Sequence, residues 1–190
     1  MKKLSGLTQE EIGQLYPVEI SSYDAQWPVL FLEEKQRISA AIDADSVLRI
    51  EHFGSTAVLG LPAKNTIDIL VEMPTAGNQP DEVIARMEEL GYEFMWQTDG
   101  NPAYLVFVKG YDPEYPKAQT YHVHMAPSEH ALWDRVYFRD YLRQQPDIAQ
   151  EYAELKQTLA LHHRHARVAY RVAKTDFVTR ITIEAKKILG

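Results

Sequence analysis

The 190-residue chain carries 27 acidic against 20 basic side chains, a net charge of −7, and contains no cysteine. A globule of this length buries ~70% of its unfolded surface and needs no staples, and the missing cysteine excludes a disulfide framework, a thiolate zinc site and a cysteine nucleophile. The acidic balance argues against a protein that coats nucleic acid, because counterion release requires a broad basic surface.

The charge is unevenly spread: Met1 to Trp133 hold 9 Lys and Arg against 20 Asp and Glu, whereas Asp134 to Gly190 hold 11 against 7. The opening MKKLSGLTQEE has two lysines with no apolar run behind them, and no stretch reaches the ~18 apolar residues of a membrane span, so the expectation is a cytoplasmic protein without a membrane partner.

Thr8 with Glu11 forms a capping-box pair, which predicts a short helix from about Gln9 to Leu15, ending before Pro17. Val18 to Ile20 reads as a short strand. Trp27, Phe31, Ile38 and Ile42 then follow helical spacing, with Pro28 tolerable in the first turn, so a long helix runs to about Asp43. VLRIEHF and TIDILVEM are strands on either side of a Gly-Ser turn and loop. TAGNQP is a loop and DEVIARMEELG an amphipathic helix. YEFMW and AYLVFVK are strands joined by the turn residues TDGNP, and TYHVHMA is a further strand. After Pro127 only helical periodicity remains: SEHALWDRVYFRDYLRQ, PDIAQEYAELKQTLALHH, and a third helix from about Ala166 to Ile188. The fold class is α+β, a mixed sheet followed by a helical segment. The chain reads as one unit, with about 17–126 forming the sheet part and about 127–190 packing on it.

Period two in TIDILVE puts Ile67, Ile69 and Val71 on one face and Asp68, Leu70 and Glu72 on the other, so Asp68 points away from the core, as a metal-binding or acid/base carboxylate would. A strand-end aspartate capping a backbone amide has the same position. In YHVHM, His122 and His124 share a face and could reach one metal or one phosphate, or bond neighbouring loops as half-buried rings. Gly54, Ser55 and Thr56 offer close backbone approach and two hydroxyls suited to phosphate oxygens. Lys64 could neutralise a phosphate. Arg167, Arg171 and Lys174 form a cationic stripe beside Tyr170 on the last helix, and Arg139 and Arg143 stand one turn apart on an earlier one. Such stripes are usually solvated faces.

Taken together, HFGSTAVLGLPAKNTIDILV, YHVHM, FRDYLRQQPDIAQEYAELKQTLA and AYRVAKTDFV resemble the GrpB family, which is assigned to the DNA polymerase beta-like nucleotidyltransferase superfamily. The resemblance spans about Val18 to Ala185. It implies a nucleotidyltransferase-like sheet in which Gly54 and Ser55 hold nucleotide phosphate and Asp68 is the first metal carboxylate, with Mg²⁺ or Mn²⁺ bridging phosphate oxygens during in-line transfer. His122 and His124 would ligate metal or touch substrate, and Lys64, Arg139 and Lys174 would contact phosphate. The implied partners are a nucleoside triphosphate and an acceptor hydroxyl or amine on a small molecule or protein.

The chain departs from the superfamily pattern where the second carboxylate belongs, two residues past Asp68, which here is Leu70. Glu72 lies roughly 6 to 7 Å further along the same face at ordinary strand rise. Three activities therefore stay open: one-metal transfer, a hydrolase or lyase acting on a phosphorylated substrate, and a module that binds nucleotide without turnover. A purely structural interaction domain is the remaining alternative.

Overall fold

The computed structural model describes residues 3–74, 80–97 and 104–190. Helix α1 spans Gln9–Leu15 with both halves of the Thr8–Glu11 capping box formed. Helix α2 is Trp27–Ala41, with Pro28 in its first turn where a missing N–H costs nothing. Strands β1 (Arg49–Phe53) and β2 (Thr66–Glu72) flank the Gly-Ser turn, and α3 (Pro80–Glu89), β3 (Glu93–Gln97), β4 (Leu105–Lys109) and β5 (Thr120–Ala126) follow. Helices α4 (Asp134–Gln144), α5 (Pro146–His162), α6 (Arg167–Ala173) and α7 (Thr175–Leu189) complete the chain.

The sheet order is β1-β2-β5-β4-β3, with β2 and β5 parallel and the other neighbours antiparallel. This mixed sheet with segregated helices bears out the α+β reading. Ile67, Ile69 and Val71 bury one face of β2 against Trp27, Phe31 and Ile38 of α2, alongside Val83 and Met87 of α3. The Trp27 indole donates to Asn65 Oδ1 at 3.0 Å, which ties α2 to the loop entering β2.

The second face is covered in pieces. Leu4, Ile12 and Tyr16 pack on Val108 of β4. Val58 and Leu61, from the turn after β1, enter a cluster with Phe138, Tyr152, Val178 and Ile181 of α4, α5 and α7. Phe53, Leu70 and Trp133 make a small cluster of their own. Between these pieces, Asp68 and His122 remain 28% and 23% exposed.

Two predicted elements differ. Val18 to Ile20 is not a strand: the Val18 N–H bonds the Arg164 carbonyl, and only Ser21 makes an isolated bridge, to Ala63. The segment packs Val18 and Ile20 on Ala160 and Tyr170 of the helical part and so lies off the sheet. The predicted last helix is two helices, broken at Lys174. The predicted TDGNP turn and most of the TAGNQP loop lie outside the described residues.

The turn after β1 is latched from inside. Thr56 Oγ1 donates to the Thr66 carbonyl at 3.0 Å and lies 3.0 Å from His52 Nε2, whose ring stacks on Phe31. Burial, together with Arg143 and Arg139, depresses His52 to about 3, so its single ring proton is free to serve Thr56. Replacing Thr56 by Val keeps the shape and strands both partners; urea unfolding should show a loss of about 1–3 kcal/mol.

Candidate functional site

The β1–β2 register places Phe53 opposite Asp68, so the chain turns at Gly54 beside that carboxylate. Gly54 has φ 75°, and a Cβ there would lie 2.3 Å from Asp68 Oδ2. Only glycine satisfies both the left-handed backbone and the close approach. The parallel β2–β5 register then sets Asp68 level with His122 and Leu70 level with His124. His122 Nδ1 is 3.6 Å from Asp68 Oδ1, and His122 Nε2 is 2.5 Å from the Tyr111 hydroxyl.

Basic side chains from three segments act on this carboxylate. Lys64, Lys174 and Arg135 each pull the Asp68 proton affinity down, against the burial that raises it to about 6. Lys64 is lowered to about 7, by burial first and then by Arg167, Lys174 and Arg171, with Asp68 opposing. Burial lowers Lys174 to about 8, with Asp68 opposing. Lys156, 1% exposed, is lowered to about 7 by burial and by Lys174 and Lys64, and its ammonium donates to the Pro62 carbonyl.

Four of these cations make no hydrogen bond or ion pair with side chains or carbonyls among the described residues: Lys64, Lys174, Arg135 and Arg171. Lys174 and Lys64 lie 4.5 and 6.0 Å from the Tyr170 ring centroid. Elsewhere cations are matched, as in Arg49–Glu72, Lys109–Glu34, Arg164–Glu19 and Lys186–Asp134. A separate groove of about 780 Å³ between α4 and the end of α7 is lined by Trp133, Asp140, Arg143 and Lys186, whose charges are already paired.

The other residues singled out in the sequence divide. Ser55 lies beside the buried Tyr152 phenol, which is in the field of Asp68. Thr56 is spent on the internal latch. Arg139 is not brought to the site: it donates to Glu51 Oε2, the His52 carbonyl and Asp140. Arg143 likewise donates to the Ala57 carbonyl. Arg135, one turn before Arg139, is the arginine of α4 that acts on Asp68. It went unread because spacing alone does not say which of three arginines, each four residues from the next, finds a carboxylate.

The donors do not fit a resident pair of divalent ions. Leu70, at 0% exposure, fills the second carboxylate position, packed between Phe53 and Trp133. Opposite it, burial lowers His124 to about 4, and its Nδ1 is buried without a hydrogen-bond partner among the described residues. Among the described residues no three His, Cys, Asp or Glu side chains gather as a metal centre requires. Several cations facing one carboxylate oppose a bare divalent ion and favour an anion.

The GrpB protein family model matches residues 17–184. A UPF0157 protein of Pseudomonas aeruginosa is 42% identical over 86% of this chain and 66% of its own length. The UPF0157 protein YqkA of Bacillus subtilis is 35% identical over 93% of the chain and 50% of its own length. The chain thus spans about two thirds and one half of these two relatives. The glutamate-rich protein GrpB of Alkalihalophilus pseudofirmus is 32% identical over 88% of the chain and 95% of its own length. A crystal structure of conserved protein GrpB from Enterococcus faecalis superposes with a TM-score of 0.76 at 31% identity, covering 90% of this chain and 100% of that one. With the model matching most of the chain and the sheet-plus-helices architecture shared with a solved GrpB structure, this chain belongs to the GrpB protein family.

Proposed function

We propose that the protein binds a nucleoside triphosphate through its phosphates over Asp68 and transfers the nucleotidyl group to a hydroxyl or amine of a small-molecule or protein acceptor. The observation that carries this reading is the convergence of Lys64, Lys174 and Arg135 on one partly exposed carboxylate, with Arg171 acting in turn on Lys64 and Lys174. Unpaired cations held together repel one another, and a polyphosphate relieves that repulsion while gaining charge-assisted hydrogen bonds. The cytoplasm, which holds nucleoside triphosphates, suits such a site.

Asp68, raised to about 6, is matched to accept a proton near neutral pH. The acceptor oxygen or nitrogen attacks the α-phosphorus, its proton passes to Asp68, and the bond to pyrophosphate breaks. Lys64, Lys174 and Arg135 meet the charge that develops on the leaving group. Gly54 keeps the space above Asp68 open, because any side chain at 54 would collide with the carboxylate. A second reading, nucleotide binding without turnover, is favoured by Leu70, which closes the position where a second metal carboxylate would act.

Lys174→Gln and Arg135→Gln should each weaken ATP binding in calorimetry by roughly tenfold, the factor for about 1.4 kcal/mol. Arg139→Gln should lower the unfolding midpoint and leave that affinity in place. Unchanged affinity in both site variants would overturn the reading.

The pH dependence has a definite sign. Sulfate keeps its charge between pH 8 and 5, so its affinity follows the protein. As pH falls, Lys174 near 8 and Lys64 near 7 become fully charged, then Asp68 near 6 is neutralised. Sulfate affinity should therefore rise towards pH 5, and Asp68→Asn should remove the step near 6. A site built around a metal on Asp68 would lose its ligand over the same range.

A further inference from the structure

We propose that Arg167, Tyr111 and His122 form a hydrogen-bonded relay that keeps a proton on His122 Nδ1 and directs it at Asp68. His122 is then a positioning residue for the carboxylate and not a metal ligand. The inference rests on the reading of Asp68 as the proton acceptor in nucleotidyl transfer.

The direction of each bond follows from what the groups can do. A guanidinium only donates, so the Tyr111 oxygen accepts from Arg167 Nη2 at 3.1 Å. The phenol hydrogen then needs an acceptor of its own, and His122 Nε2, 2.5 Å away, is in place to take it. An imidazole whose Nε2 accepts carries its proton on Nδ1. That nitrogen lies 3.6 Å from Asp68 Oδ1, just beyond hydrogen-bond length. The opposite tautomer would turn the phenol hydrogen away from its nearest neighbour, towards Thr120, and set the Nδ1 lone pair against a carboxylate oxygen. Both arguments select the same proton position.

The relay is fixed at its far end. Arg167 Nη1 donates to the Tyr16 carbonyl at 2.7 Å, and the Tyr16 ring meets Tyr111 edge-on with centroids 4.9 Å apart. His165, two residues before Arg167, lies 3.0 Å through Nδ1 from the Gly13 carbonyl of α1. The N-terminal helix and α6 thus clamp Tyr111 against β5, and the clamp sets the orientation of His122. With Nε2 occupied and Nδ1 protonated, the ring has no lone pair left for a metal. Asp68 faces an N–H donor on one side and is left open to an acceptor proton on the other.

The test is a two-bond ¹H–¹⁵N spectrum of the full chain labelled in histidine, with His122 assigned through His122→Gln. The expected result is the Nδ1–H pattern at His122, with no selective broadening by millimolar Mn²⁺. In Tyr111→Phe, and independently in Arg167→Gln, the pattern should move towards the Nε2–H form, while circular dichroism shows the fold retained. An Nε2–H ring in the wild type, an unchanged ring in both variants, or selective broadening by Mn²⁺ would each overturn the relay. A chain that shows the Nδ1–H ring but fails to bind inorganic triphosphate would refute the nucleotide reading and support the relay.

Discussion

Strand β2 lies in the sheet between β1 and β5, antiparallel to the first and parallel to the second, and the site depends on these two registers together. The β1 register brings the Gly54 turn onto Asp68, and the β5 register brings His122 level with it. A slip of one residue would exchange the two faces of β2, putting Asp68 among Trp27, Phe31 and Ile38. The apolar residues Ile67, Ile69 and Val71 therefore specify the position of the functional side chain as firmly as they specify the core. The buried Thr56 latch holds the turn at the same register from the inside.

Around that fixed carboxylate the chain assembles cations that it pairs elsewhere. The helical segment from Asp134 onward carries the basic excess, and its α4, α5 and α6, with the break before α7, deliver Arg135, Lys156, Arg167, Arg171 and Lys174 to one place. Gathering several partly buried like charges around one carboxylate opposes folding, and burial presses Lys64, Lys156 and Lys174 towards their neutral forms. Conflicts of this kind between stability and arrangement are expected at functional sites. The break at Lys174 belongs to the same logic, since α7 turns away to bury Val178, Ile181 and Ala185 with α4 while Lys174 stays over Tyr170.

Much of this was legible in the residues. The capping box gave α1 its limits, period two oriented Asp68 and both histidines, and the family blocks identified the fold. What was not legible depended on long-range partners. Val18 to Ile20 has strand-forming residues, yet the Val18 N–H serves the Arg164 carbonyl of the helical segment, and the Ser21 N–H that follows serves the Ala63 carbonyl of a loop. Nothing in Ala173-Lys174-Thr175 marks a helix break, which comes from packing. Arg139 and Lys174 looked alike as sequence candidates, but Glu51 and Asp140 claim the first, whereas the second faces Asp68. Tyr111 gave no signal, because its role exists only where β5, α6 and the end of α1 meet.

In the proposed function, side-chain cations and not resident metal ions create the phosphate site. Titrating the wild-type chain with ATP by calorimetry in excess chelator, and then in Mg²⁺, tests this most directly. Binding in chelator that Mg²⁺ changes little would be the predicted result. Binding only after Mg²⁺ is supplied, or no binding in either condition, would contradict it.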